Sequence, residues 1–139
     1  MDYAMKTRQT YERINAGDIA GFGDLLADDF VEHESGTGFP PTKDGTLEYF
    51  RALQTAFPDM RMNVDDLIAS EDKAVARVTV TATHEGEFMG VPPTGKRVEM
   101  QVIDIMEFDD VGLLHEHWGV ADTLSLMQQL GVVPAGPPA

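Results

Sequence analysis

The chain has 139 residues, enough for one domain with a sizeable core and short for two. It contains no cysteine, which excludes disulfides, thiolate metal sites and cysteine nucleophiles. Ten Lys and Arg against 24 Asp and Glu leave a formal charge of −14, a field that repels nucleic-acid phosphates and anionic membrane surfaces.

Tyr3, Thr7, Tyr11 and Ile14 recur at helical spacing and predict a first helix from Tyr3 to Asn15. Gly17 suits the left-handed residue after its end, and Asp18 can cap a second helix that carries Ile19, Phe22, Leu25 and Leu26 to near Ala27. A short strand is expected from Phe30 to His33, followed by a Gly/Pro-rich loop, ESGTGFPPTKDG. Asp44 is the expected cap of a third helix, with Leu47, Phe50, Leu53 and Phe57 on one face before Pro58 ends it. Beyond Pro58 the period changes to two. Four strands are expected as a meander: Met62 to Ala69, Lys73 to Glu87, Arg97 to Phe108 and Leu113 to Ala121. Leu124, Met127 and Leu130 then mark a last amphipathic helix closing at Gly131, so the domain is placed at 1–131 with a tail at 132–139. Helices grouped before strands predict an α+β fold with helices on one face of a mainly antiparallel sheet. No apolar run approaches the roughly 20 residues that cross a bilayer, and the N-terminus lacks the pattern of a secretion signal, so a cytoplasmic protein with no membrane partner is expected.

Chemistry concentrates on the strand from Val98 to Phe108. One face reads Val98, Met100, Val102, Asp104, Met106 and Phe108, a single carboxylate among five apolar residues. Facing a core, Asp104 is either a desolvated neutral acid able to hydrogen-bond an oxyanion or an acid that bonds a neighbouring polar group. It is the one acid that the pattern places inside; Asp28, Asp29, Asp72, Asp109 and Asp110 fall at turns and outward positions. His33 opens the Gly/Pro loop, where a cleft could form or an ordinary loop histidine could sit. His84 ends an alternating apolar face and reads as a core-edge histidine. His115 and His117 share a strand face, but two imidazoles need a third convergent ligand to hold a metal, and none is evident. Trp118 and Asp122 take the opposite face. Serine-elbow, phosphate-loop and dinucleotide motifs are absent, and PPTGK reads as a hairpin turn.

NAGD at 15–18, LADDFVEH at 26–33, AFPDM at 56–60, DLIASEDKAVARVTVTATHEGEFMGVPPTGKRV at 66–98 and HEHWGVADTLSLMQQLG at 115–131 together resemble the SnoaL-like polyketide cyclases of the ester cyclase group, within the nuclear transport factor 2-like superfamily. The resemblance implies a cone-shaped α+β barrel, in which three N-terminal helices and a strongly bent sheet enclose an apolar pocket, and a homodimer packed through the sheet. Related ketosteroid isomerases have a carboxylate base where this chain has His33, and an oxyanion-donating Asp in a strand that DIMEF, with Asp104, resembles. Their first-helix Tyr aligns with Thr10, one position from Tyr11. The acid/base Asp of characterised cyclases aligns with Gly119. The resemblance therefore implies a cofactor-independent, metal-free enzyme that cyclises a small apolar carbonyl or ester substrate by proton abstraction and intramolecular aldol chemistry. The expected catalytic residues are His33, Asp104 and His117, and the expected substrate contacts are Val102, Met106, His115, Phe50, Trp118 and Asp122. Isomerisation or hydrolysis would use the same pocket, and a non-catalytic binding or dimerisation module is the alternative that the fold also permits.

Overall fold

Each helix starts on a side chain that accepts a hydrogen bond from an otherwise unpaired backbone N–H. In the computed structural model, which describes residues 1–136, Asp2 caps α1 (Tyr3–Asn15), Asp18 caps α2 (Ile19–Asp24), Thr42 caps α3 (Lys43–Ala56) and Asp122 caps α4 (Thr123–Leu130). The cap of α3 is therefore two residues earlier than the expected Asp44, whose charge lies in the first turn and favours that end of the helix. The second helix is shorter than its apolar spacing suggests. It stops at Asp24 because β1 (Leu26–Glu32) claims Leu26 as a sheet residue opposite Leu114.

The remaining strands are β2 (Arg61–Ala69), β3 (Lys73–Thr83), β4 (Arg97–Phe108) and β5 (Leu114–Ala121). β3 ends before the expected Glu87: Asp59 takes both the Thr83 N–H and its hydroxyl at 2.7 Å, and the Glu85 and Gly86 N–H groups turn to Ala56 O. The sheet order is β1-β5-β4-β3-β2, an antiparallel meander with β1 added parallel to β5, and the sheet is curled rather than closed. The expected α+β architecture is the one observed, with β1 and β2 left as the edges.

α1 packs on β2 and β3, α3 on β1 and α4 on β4, so the helices lie over the concave face of the sheet. The main core joins Tyr11 and Ile14 of α1 and Phe22 of α2 to Phe30, Val78, Val102 and Phe108 of the sheet. A second cluster sets Leu126 and Leu130 of α4 over Phe57, Ala82 and Val98. Gln128 donates to the Pro134 carbonyl at 3.1 Å, so the chain after α4 folds back on it; the last three residues of the expected tail lie outside the described residues. Among the described residues no helix is long and apolar enough to cross a membrane.

Gly45, in the first turn of α3, lets the preceding loop approach closely: a Cβ there would overlap the Pro40 carbonyl. Gly45→Ala should therefore cost about 1–3 kcal/mol, the usual range for overpacking, measured as a lower midpoint in denaturant unfolding with an unchanged slope.

Candidate active site

The concave face of the sheet and the three N-terminal helices enclose a cavity of about 460 Å³. Its walls include many aromatic and methionine side chains, among them Phe22, Phe50, Phe57, Met62, Met100 and Met106, a lining that adapts to an apolar guest. Its charged groups are Glu32, Glu34, Asp104 and His117, brought together from β1, the loop after it, β4 and β5.

Register explains why these four meet. Asp104 pairs with Gly119 across β4 and β5, and Glu32 pairs with His117 across β1 and β5. Side chains alternate along a strand, so the buried Phe30 carries Glu32 to the same inner face, and Glu34 continues that side beyond the strand end. His117 Nδ1 lies 2.6 Å from Glu32 Oε1 and its Nε2 lies 2.8 Å from Asp104 Oδ1. A carboxylate at each ring nitrogen makes both nitrogens donors, which is the imidazolium form. Burial alone would push the His117 pKa down, but the hydrogen bonds and charges of Asp104 and Glu32 outweigh it and hold the value up at about 10.

Asp104 is 4% exposed and accepts on both oxygens, the second from the Tyr11 hydroxyl at 2.5 Å. Neither oxygen is left to act as the neutral donor expected for an oxyanion, so the second of the two readings, an acid bonded to neighbouring polar groups, describes Asp104. Burial, then the charge of Asp104 and its hydrogen bond, push the Tyr11 pKa upwards and keep the phenol protonated. Tyr11, not Thr10, thus supplies the first-helix phenol; the Thr10 hydroxyl turns back to Lys6 O at 3.0 Å.

Glu34 is the less constrained acid. Its backbone N–H donates to Glu32 Oε1 at 2.9 Å, while its own carboxyl occupies the space beside Gly119. A Cβ on Gly119 would strike that carboxylate and would stand 2.7 Å from the His117 ring and 3.1 Å from Asp104 Oδ1. Burial raises the Glu34 pKa to about 6; the His117 charge opposes the rise, and Asp104 and Glu32 add to it.

The structure redraws the expected site. His33 is not part of the cavity wall. It comes directly after the end of β1 and lies outside the cavity, stacked on Trp118 with ring centres 4.7 Å apart and bonded to Glu116 at 2.9 Å. Trp118 lies with it on the outer face. His115 is also displaced. Glu107 pairs with Glu116 but Phe108 with Leu114, so His115 is the extra residue of a bulge; the half-turn gives the inner face to Leu114 and leaves His115 3.4 Å from Asp29. Asp122 spends its carboxylate on the Ser125 N–H as the cap of α4. Val102, Met106 and Phe50 line the cavity with Asp104 and His117. Glu32 and Glu34 join Asp104 as acids on the inside; extending the alternation from Phe30 would have found both. His84 is fully buried, with Nδ1 3.0 Å from the Thr94 hydroxyl, outside the cavity lining. Among the described residues no three His, Asp or Glu side chains are disposed to hold a metal ion.

A family model described as SnoaL-like polyketide cyclase matches residues 5–130. Among solved structures, AclR from Streptomyces galilaeus, a candidate hydroxylase, is 32% identical with a TM-score of 0.86, covering 96% of this chain and 83% of its own. IdmH from Streptomyces antibioticus, a candidate polyketide cyclase, is 34% identical with a TM-score of 0.84, covering 94% of this chain and 99% of its own. TsrD from Streptomyces laurentii is 28% identical with a TM-score of 0.81, covering 93% and 97% respectively. No curated protein matches the chain.

Two stability predictions follow from the charges. His117→Gln removes the one cation between two buried carboxylates and should cost about 3–5 kcal/mol by denaturant unfolding. Glu34→Gln should have the opposite sign. The folded-state pKa of Glu34, about 6, lies above its ordinary 4.5, so the charged form is the one that the fold disfavours. The gain from Gln is therefore absent below about pH 4.5, grows through pH 6 and is complete above it. Melting should show Glu34→Gln a few degrees more stable than the wild type at pH 8 and equal to it at pH 4.

Proposed function

The chain belongs to the SnoaL-like polyketide cyclase family, and from the chemistry of its cavity we propose that it is a cofactor-independent enzyme that cyclises an apolar carbonyl or ester substrate by proton transfer and intramolecular aldol addition. The observation that carries this reading is the Glu34 carboxyl, held beside Gly119 at the charged end of an otherwise apolar cavity. The candidate cyclase IdmH, 34% identical, supports the same reaction class.

Glu34 is the proton acceptor. With a pKa of about 6 it is mostly ionised at neutral pH, yet it is a stronger base than an ordinary carboxylate, the compromise that general-base catalysis favours. It removes the proton alpha to a carbonyl; the enolate carbon attacks a second carbonyl carbon of the same molecule, a C–C bond forms, and the new alkoxide takes the proton back from Glu34. Atoms and electrons balance within the substrate, so the step needs no redox partner. His117 cannot share this role while both ring nitrogens are bound to carboxylates. Its fixed positive charge offsets the carboxylates around it and keeps Glu34 from being neutral throughout the working range. The cavity walls contribute by folding an apolar substrate so that nucleophilic and electrophilic carbons meet.

The test is proton exchange. With an aromatic polyketide ester that bears an acidic methylene, NMR in D₂O should show enzyme-dependent exchange at that carbon. Its rate should rise with pH through about 6 and level off above, because only the ionised Glu34 accepts a proton. Glu34→Gln should slow exchange about 10²- to 10⁴-fold, while His33→Ala, on the outer face, should leave it unchanged. A Glu34→Gln protein as active as the wild type, or a rate lost in His33→Ala, contradicts the assignment.

A further inference from the structure

An enolate needs a hydrogen-bond donor at its oxygen, and most donors at the charged end are already spent. The Tyr11 hydroxyl is committed to Asp104, and both His117 nitrogens are committed to carboxylates. Helix α3 supplies what is left. Tyr49 lines the cavity, and no hydrogen bond, only burial and the charges of Glu34 and Glu32, acts on its hydroxyl among the described residues. Its ring is held between Phe39 of the Gly/Pro loop and Phe50, with centres 6.0 and 5.7 Å away. One turn earlier on the same side of α3, the Thr46 side chain also lines the cavity; it is buried and its hydroxyl is unpaired.

Resting on the carbon-acid reading of this cavity, we propose that Tyr49 is a further catalytic residue, whose hydroxyl donates a hydrogen bond to the carbonyl oxygen of a bound ketone or ester and holds the enolate oxygen once Glu34 has taken the proton. Burial, then the charges of Glu34 and Glu32, raise the Tyr49 pKa and keep the phenol in its donating form. Tyr49, Glu32 and Glu34 line the same cavity. A neutral donor suits this position. It stabilises an oxyanion without forming an ion pair with Glu34 in the resting site, where a cation would lower the base strength of that carboxylate. The donor and the base come from two elements packed on each other, α3 and the end of β1, and both line the one cavity, so a carbonyl group bound there can present its oxygen to one and its alpha carbon to the other.

The test uses 1-acetylnaphthalene labelled with carbon-13 at the carbonyl, observed by infrared difference spectroscopy in wild type and Tyr49→Phe, a change that keeps the ring packed against Phe39 and Phe50. The carbonyl stretch should fall on binding to the wild type and return towards its value in an apolar solvent in Tyr49→Phe. In the exchange assay, the variant should lose about 10²- to 10³-fold in kcat, the usual effect of one oxyanion donor, with KM little changed and the pH midpoint still near 6. Replacing Tyr49 by a more acidic fluorotyrosine should lower the stretch further, a readout that needs no truncation. A probe that binds both proteins with the same stretch overturns the role of Tyr49 and leaves the carbon-acid reading standing. A pH midpoint displaced in Tyr49→Phe, with the stretch unchanged, also overturns it and makes Tyr49 a positioning residue for Glu34. Failure of the ketone to bind the wild type defeats the reading of the cavity and the proposal with it.

Discussion

A histidine held between two buried carboxylates is the constraint on which this site depends. Glu32, His117 and Asp104 come from three adjacent strands in the order β1, β5 and β4, and Tyr11 extends the chain of bonds to α1. Burying such charges is a weak source of net stability, because desolvation opposes the attraction. What the chain of bonds secures is position. It fixes the register of the parallel β1–β5 pair at the point where the cavity begins, and it fixes α1 against the sheet through a phenol rather than through apolar contact alone. It also leaves both His117 nitrogens and both Asp104 oxygens engaged by partners.

In the proposed reaction the mobile proton is carried by another group, and the geometry of β5 leaves room for one. Gly119 faces Asp104 across the sheet and has no side chain, and the Glu34 carboxyl fills the space that a side chain there would need. The carboxylate arrives from the end of β1 rather than from β5. Being outside the bonded chain, Glu34 has no imidazolium of its own, and burial leaves it with a pKa of about 6. The fold thus accommodates two kinds of acid near each other: Glu32 and Asp104, hydrogen-bonded to His117, and Glu34, which feels the His117 charge but lies outside the bonded chain. The same burial that makes Glu34 a better base makes it a liability to the folded state, the usual relation between a reactive group and stability.

The Asp18 cap, the helical periods and the two-faced β4 were legible in the sequence because each is a local rule acting over a few residues. Asp104 stood out as one acid on an apolar face, and its inward placement needed only alternation. Glu32 and Glu34 obey that alternation too, counted from Phe30, whereas His33 between them falls on the other side. Other features were beyond local pattern. The bulge at His115 is a matter of pairing between β4 and β5, and it decides which residues face inwards before and after it. The early start of β1 depends on Leu114, nearly ninety positions away in the chain. Asp122 is an expected substrate contact, and it is the start of α4 that turns it into a cap. Tyr49 and Thr46 sit among ordinary helix residues, and nothing in the local pattern of α3 marks them as lining the cavity.

The division between a fixed cation and a titrating acid can be read in one experiment, a paired titration that follows the Glu34 side-chain carboxyl by carbon-13 NMR and the His117 ring by nitrogen-15 NMR. The account requires the Glu34 signal to move with a midpoint near 6, while both His117 nitrogens remain protonated until the pH approaches about 10. A His117 ring that loses its proton near its ordinary 6.5, with Glu34 titrating near 4.5, would return the role of base to the histidine and contradict the account.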